Sequence, residues 1–271
     1  MVDLGIERLS VFGMPPLDFI AMTARLGCQS LGLGLATTGG YNPHGYPEWS
    51  FRDDPQLLRD TRQSLLDHDV RLGLVEGFAV VPDQPVTRYA ADLDLVAELG
   101  CERIAVVSLD KDLDRTIAGF AEFAELAAAR GLAVSAELGS LGPIRTLAAA
   151  EAAVRGVNHP AFTLLLDTMH FFRLGSTNAQ LAQTDLAAIG YVQLCDAPWQ
   201  PRFATYIEEA LYERLPPGAG ELPLAAFLAQ IPPHVPISLE IPRRSLAEAG
   251  VPPAERLAPC IAAARAMLDT R

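Results

Sequence analysis

The chain has 271 residues, 50% of them hydrophobic, and its formal net charge at pH 7 is −12. This length is typical of one α/β barrel and is enough to bury a large core. The acidic balance, without a basic stripe, argues against a partner held through a nucleic-acid backbone.

We expect no signal peptide and no membrane span. MVDLGIERLS lacks the basic and apolar regions of a signal peptide, and no apolar run approaches the roughly 18 to 20 residues of a membrane span. The four cysteines are scattered, with no CxxC pair, as expected of structural thiols in a reducing compartment. We therefore expect a cytoplasmic protein with no membrane or nucleic-acid partner.

Short runs rich in Val, Ile and Leu alternate with longer stretches of helical period along the chain. The predicted strands are residues 4–12, 30–35, 70–76, 103–108, 133–138, 162–167, 188–195 and 237–241. The predicted helices are residues 16–26, 55–67, 85–99, 113–129, 144–154, a region around 178–182, 223–230 and 253–268. Each predicted strand precedes a helix, which is the pattern of a βα repeat.

Sequential βα units with right-handed crossovers form a parallel sheet, and eight of them close into a barrel. We therefore predict the α/β class and a (β/α)8 TIM barrel, with residues 1–271 as one domain. The alternative is an open doubly wound sheet, which would require a Gly-rich loop after the first strand, whereas SVFGMPP has one glycine. Two long loops with aromatic residues, 36–54 and 196–221, are predicted to cover a substrate.

Polar residues end several of the apolar runs, and the active site of such a barrel lies at the C-terminal strand ends. These residues are Glu76, Glu137, Asp167, Gln193 followed by Asp196, and Glu240. Buried carboxylates at one barrel mouth would be costly and would repel one another. A divalent cation would compensate both effects, and oxygen ligands favour Mn²⁺ or Mg²⁺, with Zn²⁺ or Co²⁺ as alternatives. Any one of these residues alone would equally suit a helix cap or an arginine partner.

The segment DTMHFFRLG places His170 three residues after Asp167. If a helical turn starts there, both side chains lie on one face. His170 would then bind or polarise a substrate beside the metal. The alternative is a histidine whose ring is satisfied by a loop carbonyl.

The order of a strand-end Glu, DTMHFFRLG, YVQLCDAP, RLPPGAGELPL and ISLEIP resembles the sugar phosphate isomerase/epimerase family of xylose-isomerase-like barrels. That family also includes inosose and dehydroshikimate dehydratases. The resemblance implies one divalent metal ion on Glu137, Asp167, Gln193 and Glu240, with the two glutamates on opposite sides of the substrate. It also implies that His170 and Arg214 bind substrate. One departure is Gln193, where many relatives have His, and it leaves the reaction open.

From these observations we expect an isomerase or epimerase that moves a proton α to the carbonyl of a small polyhydroxylated compound, with Glu137 and Glu240 as the catalytic acid and base. The alternatives are a dehydratase that uses the same metal site and a non-catalytic binding barrel. Asp196, Glu76 and Trp199 complete the predicted substrate-binding set. A homo-oligomer is expected only because closed oligomers are common among such barrels.

Overall fold

The computed structural model describes residues 3–37 and 41–270. Within them, eight parallel strands form a closed barrel in chain order, because β1 pairs with both β2 and β8. The strands are β1 Leu4–Ile6, β2 Ser30–Leu33, β3 Arg71–Val80, β4 Arg103–Ser108, β5 Ala133–Glu137, β6 Phe162–Asp167, β7 Ile189–Leu194 and β8 Ile237–Leu239. The predicted TIM barrel is confirmed.

Helices follow the strands and cover the outside of the barrel. They are α1 Pro16–Arg25, α2 Pro55–Asp67, α3 Ala90–Glu98, α4 Leu113–Ala128, α5 Leu147–Val157, α6 Thr168–Arg173, α7 Asn178–Leu181, α8 Tyr206–Tyr212, α9 Leu224–Leu228, α10 Arg244–Glu248 and α11 Pro253–Leu268. Several start points are set by the sequence locally. Asp54 caps α2 by accepting hydrogen bonds from the backbone N–H groups of Gln56 and Leu57, and Pro55 and Pro253 occupy first-turn positions where no N–H is needed.

Two predicted strand ends are wrong. Strand β1 ends at Ile6, not at residue 12, because the chain turns into a 3₁₀ helix over Arg8–Val11. Strand β3 does not end at Glu76 but continues to Val80, with Gly77 at φ +110° and irregular pairing to β4 between Val75 and Phe78. A β-bulge of this kind redirects side chains, so Glu76 lies within a strand, next to an irregularity.

The barrel interior is filled by side chains and contains a polar layer. Leu74, Ala105, Leu165 and Tyr191 form an apolar cluster inside the barrel. Arg103 donates hydrogen bonds to the hydroxyl oxygens of Ser135 and Thr163, at 2.9 and 3.2 Å. The interior is therefore a packed core and not a pore, as expected of this fold.

In the described ranges 3–37 and 41–270, we find no helix whose length and apolar character would allow it to cross a membrane. All four cysteines are buried free thiols.

Candidate active site

The predicted metal ligands occupy neighbouring strand ends at one mouth of the barrel. Glu137 and Asp167 are the last residues of β5 and β6, Gln193 pairs with Asp167 in the β6–β7 register, and Glu240 directly follows β8. The mouth opens into a cavity of about 350 Å³. Its wall includes Arg8, Glu76, Glu137, His170, Arg214 and Glu240.

A buried arginine joins two of these carboxylates. Arg214 is 2% exposed; its Nη1 pairs with Asp167 Oδ2, and its Nη2 lies 3.0 Å from Glu240 Oε2. Burial raises the pKa of Asp167, but the Arg214 guanidinium and the positive field of His170 outweigh burial and hold that pKa below its usual value. At Glu240 the effect of burial is larger than that of Arg214, so the pKa of Glu240 lies well above its usual value.

Gln193 connects Glu240 to Glu76. Its Nε2 donates to Glu76 Oε1 at 2.9 Å and to Glu240 Oε1 at 3.4 Å. Glu76 Oε2 lies 3.7 Å from Nη1 of Arg8. Burial raises the pKa of Glu76, and Arg8 opposes that shift. The structure thus brings Glu76 to the predicted ligands as a hydrogen-bond partner of Gln193.

A second set of contacts surrounds His170. Asp167 caps α6 by accepting the backbone N–H of His170 at 2.9 Å, which fixes the His170 backbone close to the strand ends. The His170 Nε2 lies 3.4 Å from Glu137 Oε1. On the other side of the ring, Nδ1 is hydrogen-bonded to the hydroxyl of Tyr206, the first residue of α8. Burial raises the pKa of Tyr206, so this phenol stays protonated at neutral pH.

Sequence reasoning missed Tyr206, and it missed Arg8 and Glu7. Tyr206 lies in a segment predicted as a loop, and Arg8 and Glu7 lie in a segment predicted as the continuous first strand. Arg8 reaches the cavity because the chain leaves β1 two residues before it. Recognising that β1 ends early would have identified Arg8 as a cavity residue. No periodic pattern in the sequence marks that end.

Two predicted substrate-binding residues do not line this cavity. Asp196 is 1% exposed and accepts the backbone N–H groups of Ala197, Gly218 and Leu222 at 2.8, 2.9 and 3.1 Å. Its carboxylate therefore organises the loop that follows β7. Trp199 is 46% exposed and packs edge-on against Phe172.

The structure holds the predicted ligands near one another without bringing them into a metal-binding group. Within the described part of the chain, no three His, Cys, Asp or Glu side chains converge in this way. The donor set itself fits a hard divalent cation, because three carboxylates and an amide offer only oxygen ligands once the amide presents Oε1. Among the described residues, the cavity wall contains three glutamates and two arginines, and Asp167 is paired with one of these arginines, Arg214. If all four carboxyl groups were ionised, they would carry two more negative charges than the two guanidinium groups neutralise. One divalent cation would balance that excess.

Solved structures of other proteins share this fold over nearly the whole chain. A xylose isomerase-like TIM barrel/4-hydroxyphenylpyruvate dioxygenase fusion protein is 24% identical over 92% of this chain, with a TM-score of 0.72. The chain spans 41% of the length of that fusion protein. The IOLI protein, whose structure contains a zinc atom, is 18% identical over 97% of this chain and 99% of its own, with a TM-score of 0.76.

Two further structures of this fold are named for different reactions. The probable 3-DHS dehydratase AsbF from Bacillus anthracis is 13% identical over 94% of this chain and 98% of its own, with a TM-score of 0.71. A D-psicose 3-epimerase from Clostridium cellulolyticum H10, solved with D-tagatose, is 16% identical over 98% of this chain and 99% of its own, with a TM-score of 0.73. At these identities the likeness shows the fold alone.

A comparison with curated proteins returns no match. A model of the xylose isomerase-like TIM barrel family matches residues 20–264. The match covers most of the chain and confirms the resemblance predicted from the strand-end motifs. The chain therefore belongs to the xylose isomerase-like TIM barrel family.

Proposed function

We propose that this protein is a divalent-metal-dependent dehydratase, which removes the proton α to the carbonyl of a small hydroxylated ketone and expels the β-hydroxyl as water. The observation that carries the proposal is the pair formed by Glu137 and His170, whose Oε1 and Nε2 atoms lie 3.4 Å apart in the cavity wall. A base and an acid side by side suit a reaction that takes one proton and gives one on the same face of the substrate.

The steps use these two side chains in turn. The C–H bond α to the carbonyl breaks, its proton goes to the Glu137 carboxylate, and its electron pair enters the enolate. That pair then forms the C=C bond as the β C–O bond breaks, and the leaving oxygen takes a proton from protonated His170 and departs as water. The proton on Glu137 returns to His170 across their contact, and the Tyr206 hydroxyl keeps the ring oriented.

A divalent cation on Glu137, Asp167, Gln193 and Glu240 would supply Lewis-acid stabilisation of the enolate oxygen. Gln193 would turn its amide so that Oε1 faces the ion, and Glu76 would then lose a hydrogen bond. Arg214 keeps Asp167 ionised, pairs with Glu240 and contributes positive charge beside the developing oxyanion.

The two predicted catalytic glutamates differ in exposure and in contacts, and this difference favours elimination over epimerisation. Glu137 is 20% exposed and contacts His170, whereas Glu240 is 6% exposed and is held by Arg214 and Gln193. Epimerisation requires a second proton donor free to act on the opposite face, and Glu240 in these contacts is poorly suited to that task. Elimination requires only the Glu137–His170 side.

The cavity wall supports a compact cyclic substrate over an open-chain sugar. Much of it is apolar, with Leu9, Phe78, Ala105, Leu141, Ile144 and Leu211 among the lining residues. Each hydroxyl of a polyol that faced such a wall without a partner would lose binding free energy. One structure of this fold is named as a probable 3-DHS dehydratase, which is the class of reaction that we propose.

An isomerase or epimerase, which was the first expectation from the sequence, is the second candidate. It is favoured by Glu137 and Glu240, which both line the cavity, and by the D-psicose 3-epimerase of the same fold. In that reaction Glu240 would exchange a proton with the substrate face opposite Glu137, which requires it to leave Arg214.

The test compares substrates in metal-loaded protein. Protein dialysed against Mn²⁺ is incubated with 3-dehydroshikimate, an inosose, D-tagatose and D-psicose, and the near-ultraviolet absorbance of a conjugated product is followed. We expect absorbance growth with a cyclic hydroxyketone and none with the ketoses. Deuterium incorporation from D₂O into a ketose, with no absorbance change for any cyclic ketone, would establish the isomerase or epimerase instead.

A further inference from the structure

A second cavity of about 320 Å³ lies beside the first. The two cavities share Arg8, Leu9 and Leu211 as a common wall. We call the second cavity the side compartment; the loops that follow β1 and β2, together with α8, supply most of its wall. Its volume is within the range of small-molecule sites, about 300–1,000 Å³.

Aromatic rings form much of the side compartment. Phe12 meets Tyr41 edge to face with centroids 5.0 Å apart, and Tyr41 meets Tyr212 with centroids 5.2 Å apart. Trp49 lies in the same wall and donates its indole N–H to the carbonyl oxygen of Gly13 at 3.4 Å. These ring contacts hold the aromatic wall in a fixed orientation, and the guanidinium groups of Arg256 and Arg244 lie over the Phe12 and Tyr212 rings, 5.2 and 5.1 Å from the ring centroids.

The backbone at Phe12 adds an independent sign of function. Phe12 has φ 50° and ψ 55°, in the left-handed region that bulky side chains avoid. Gly13 follows at φ +85°. Strained residues of this kind cluster at ligand sites, since the surrounding structure must hold them in place. The strain sets the position of the ring that lines the compartment.

Among the described residues that line the compartment, few carry polar groups, and most of those groups are hydrogen-bonded within the protein. The Thr37 hydroxyl donates to the Trp49 carbonyl at 3.2 Å, and the Tyr41 hydroxyl donates to Glu248 at 3.2 Å. Arg8, which also lies 3.7 Å from Glu76, is the one charged side chain among the described residues that line it. A sugar would leave hydroxyls unpaired here, whereas a flat ring with one anionic group matches both the aromatic wall and the guanidinium.

We propose that the side compartment binds a planar ring carboxylate, with the ring between Phe12, Tyr212 and Trp49 and the carboxylate on Arg8. This site adjoins the cavity that holds Glu137 and Glu240 and shares the wall of Arg8, Leu9 and Leu211 with it, but the proposal does not depend on which reaction occurs there. Because Arg8 also lies 3.7 Å from Glu76, a ligand that engages it alters the charge balance at the mouth of the main cavity.

Tryptophan fluorescence tests the proposal, because the chain has only two tryptophans. Trp49 lines the side compartment, while Trp199 lines neither cavity. In a Trp199→Phe background, Trp49 is the single reporter. Titration with benzoate should change its emission saturably, and benzyl alcohol, which lacks the charge, should bind about tenfold more weakly.

Paired variants in that background locate the site. Tyr212→Ala, which alters only the side compartment, should weaken benzoate binding about fivefold or more, while Ile207→Ala, which alters only the main cavity, should leave it within about twofold. Arg8→Met should weaken binding about tenfold, and Arg202→Met, which removes an exposed arginine outside both cavities, should not.

Circular dichroism melting curves establish that each variant is folded. A Trp49 emission that does not respond saturably to benzoate in the unmodified side compartment would overturn the proposal. The reverse variant pattern, with Ile207→Ala harmful and Tyr212→Ala neutral, would overturn it too, because the ligand would then occupy the main cavity. Equal affinities for benzoate and benzyl alcohol would remove the role of Arg8.

Discussion

At the scale of single residues, the division of labour in the proposed reaction rests on the contact between His170 and Glu137. Asp167 fixes the His170 backbone through the α6 cap, and Tyr206 holds the ring from its other nitrogen. A general acid held from both sides loses little entropy when it acts. The residue that supplies the proton and the residue that orients it are therefore separable by mutation.

His170→Gln keeps a side chain that can hydrogen-bond but cannot transfer the proton. We expect kcat on the dehydratable ketone to fall by about 10²–10⁴-fold, with KM changed little. Tyr206→Phe, which removes only the orienting hydroxyl, should lose much less. Steady-state kinetics of both variants check this; a similar loss in the two would mean that His170 acts through its position alone.

Glu7 is a buried carboxyl group that the sequence did not reveal as unusual. It is 0% exposed, and its Oε1 accepts a hydrogen bond from the Tyr191 hydroxyl at 2.8 Å. Gly32 makes room for it, because a Cβ at that position would overlap the carboxyl group. Burial, with a further contribution from the charge of Glu76, raises the pKa of Glu7 to about 8.

This shift predicts a pH-dependent stability. The pKa of Glu7 in the folded protein is raised above its unfolded value of 4.5, so the neutral carboxyl stabilises the fold fully below pH 4.5 and this contribution is lost as the pH rises to about 8. Relative to Glu7→Gln, the free energy of unfolding should therefore fall by about 1.4 kcal/mol per pH unit across that window. Urea titrations of both proteins in EDTA between pH 5 and 8.5 measure it, and parallel curves would show that Glu7 does not titrate as proposed.

At the scale of helices and strands, the sequence identified the eight strand–helix repeats but not the irregular parts. Runs such as residues 103–108 and 162–167 were predicted with their observed bounds because buried parallel strands read as continuous apolar runs. The ends of β1 and β3 depend on a 3₁₀ turn and on a bulge at Gly77, which tertiary contacts decide. Helix α8 has only seven residues and was not predicted, because it lies in a segment predicted as a loop, although Thr205 caps it.

The loop that carries α8 is organised by Asp196, and this yields a prediction at the same scale. Asp196→Asn replaces one carboxylate oxygen by an amide NH₂, which cannot accept from a backbone N–H. We expect a loss of about 1–3 kcal/mol in the free energy of unfolding, because a buried backbone donor is left unpaired. The measurement is urea unfolding monitored by circular dichroism.

Asp185→Asn is the matched control, since Asp185 accepts one backbone N–H, from Ala187, at an exposed position. It should change stability by less than about 1 kcal/mol. Asp196 was also predicted to bind substrate. A large rise in KM for Asp196→Asn with unchanged stability would support that role and contradict the structural one.

At the scale of the whole molecule, the sequence could group the candidate site residues because a barrel brings its strand ends together at one mouth. Glu137, Asp167, Gln193 and Glu240 could be grouped without knowing any distance, since each ends or closely follows a consecutive strand. The contacts made by Arg214 could not be predicted from the sequence. That residue lies in a connecting segment 47 positions from Asp167, and only the folded loop brings the two together.

The charges at this mouth of the barrel favour the binding of a metal ion. Four carboxyl groups, those of Glu76, Glu137, Asp167 and Glu240, face the guanidinium groups of Arg8 and Arg214. An ion bound by the folded state alone stabilises the protein by about 2.7 kcal/mol at one hundred times its dissociation constant. For a domain of this size, that corresponds to a rise in Tm of roughly 5–10 °C.

We therefore expect Mn²⁺ or Mg²⁺ to raise Tm relative to EDTA-treated protein, as followed by circular dichroism. Gln193→Leu should reduce the rise, because it removes one oxygen ligand while keeping a side chain of similar size. Gln183→Leu, at an exposed position away from the cavity, is the matched control and should keep the full rise. A Tm that no divalent cation changes would argue for a binding barrel without a metal, since the charge deficit at the mouth would then be met by protonated carboxyl groups and by Arg8 and Arg214 alone.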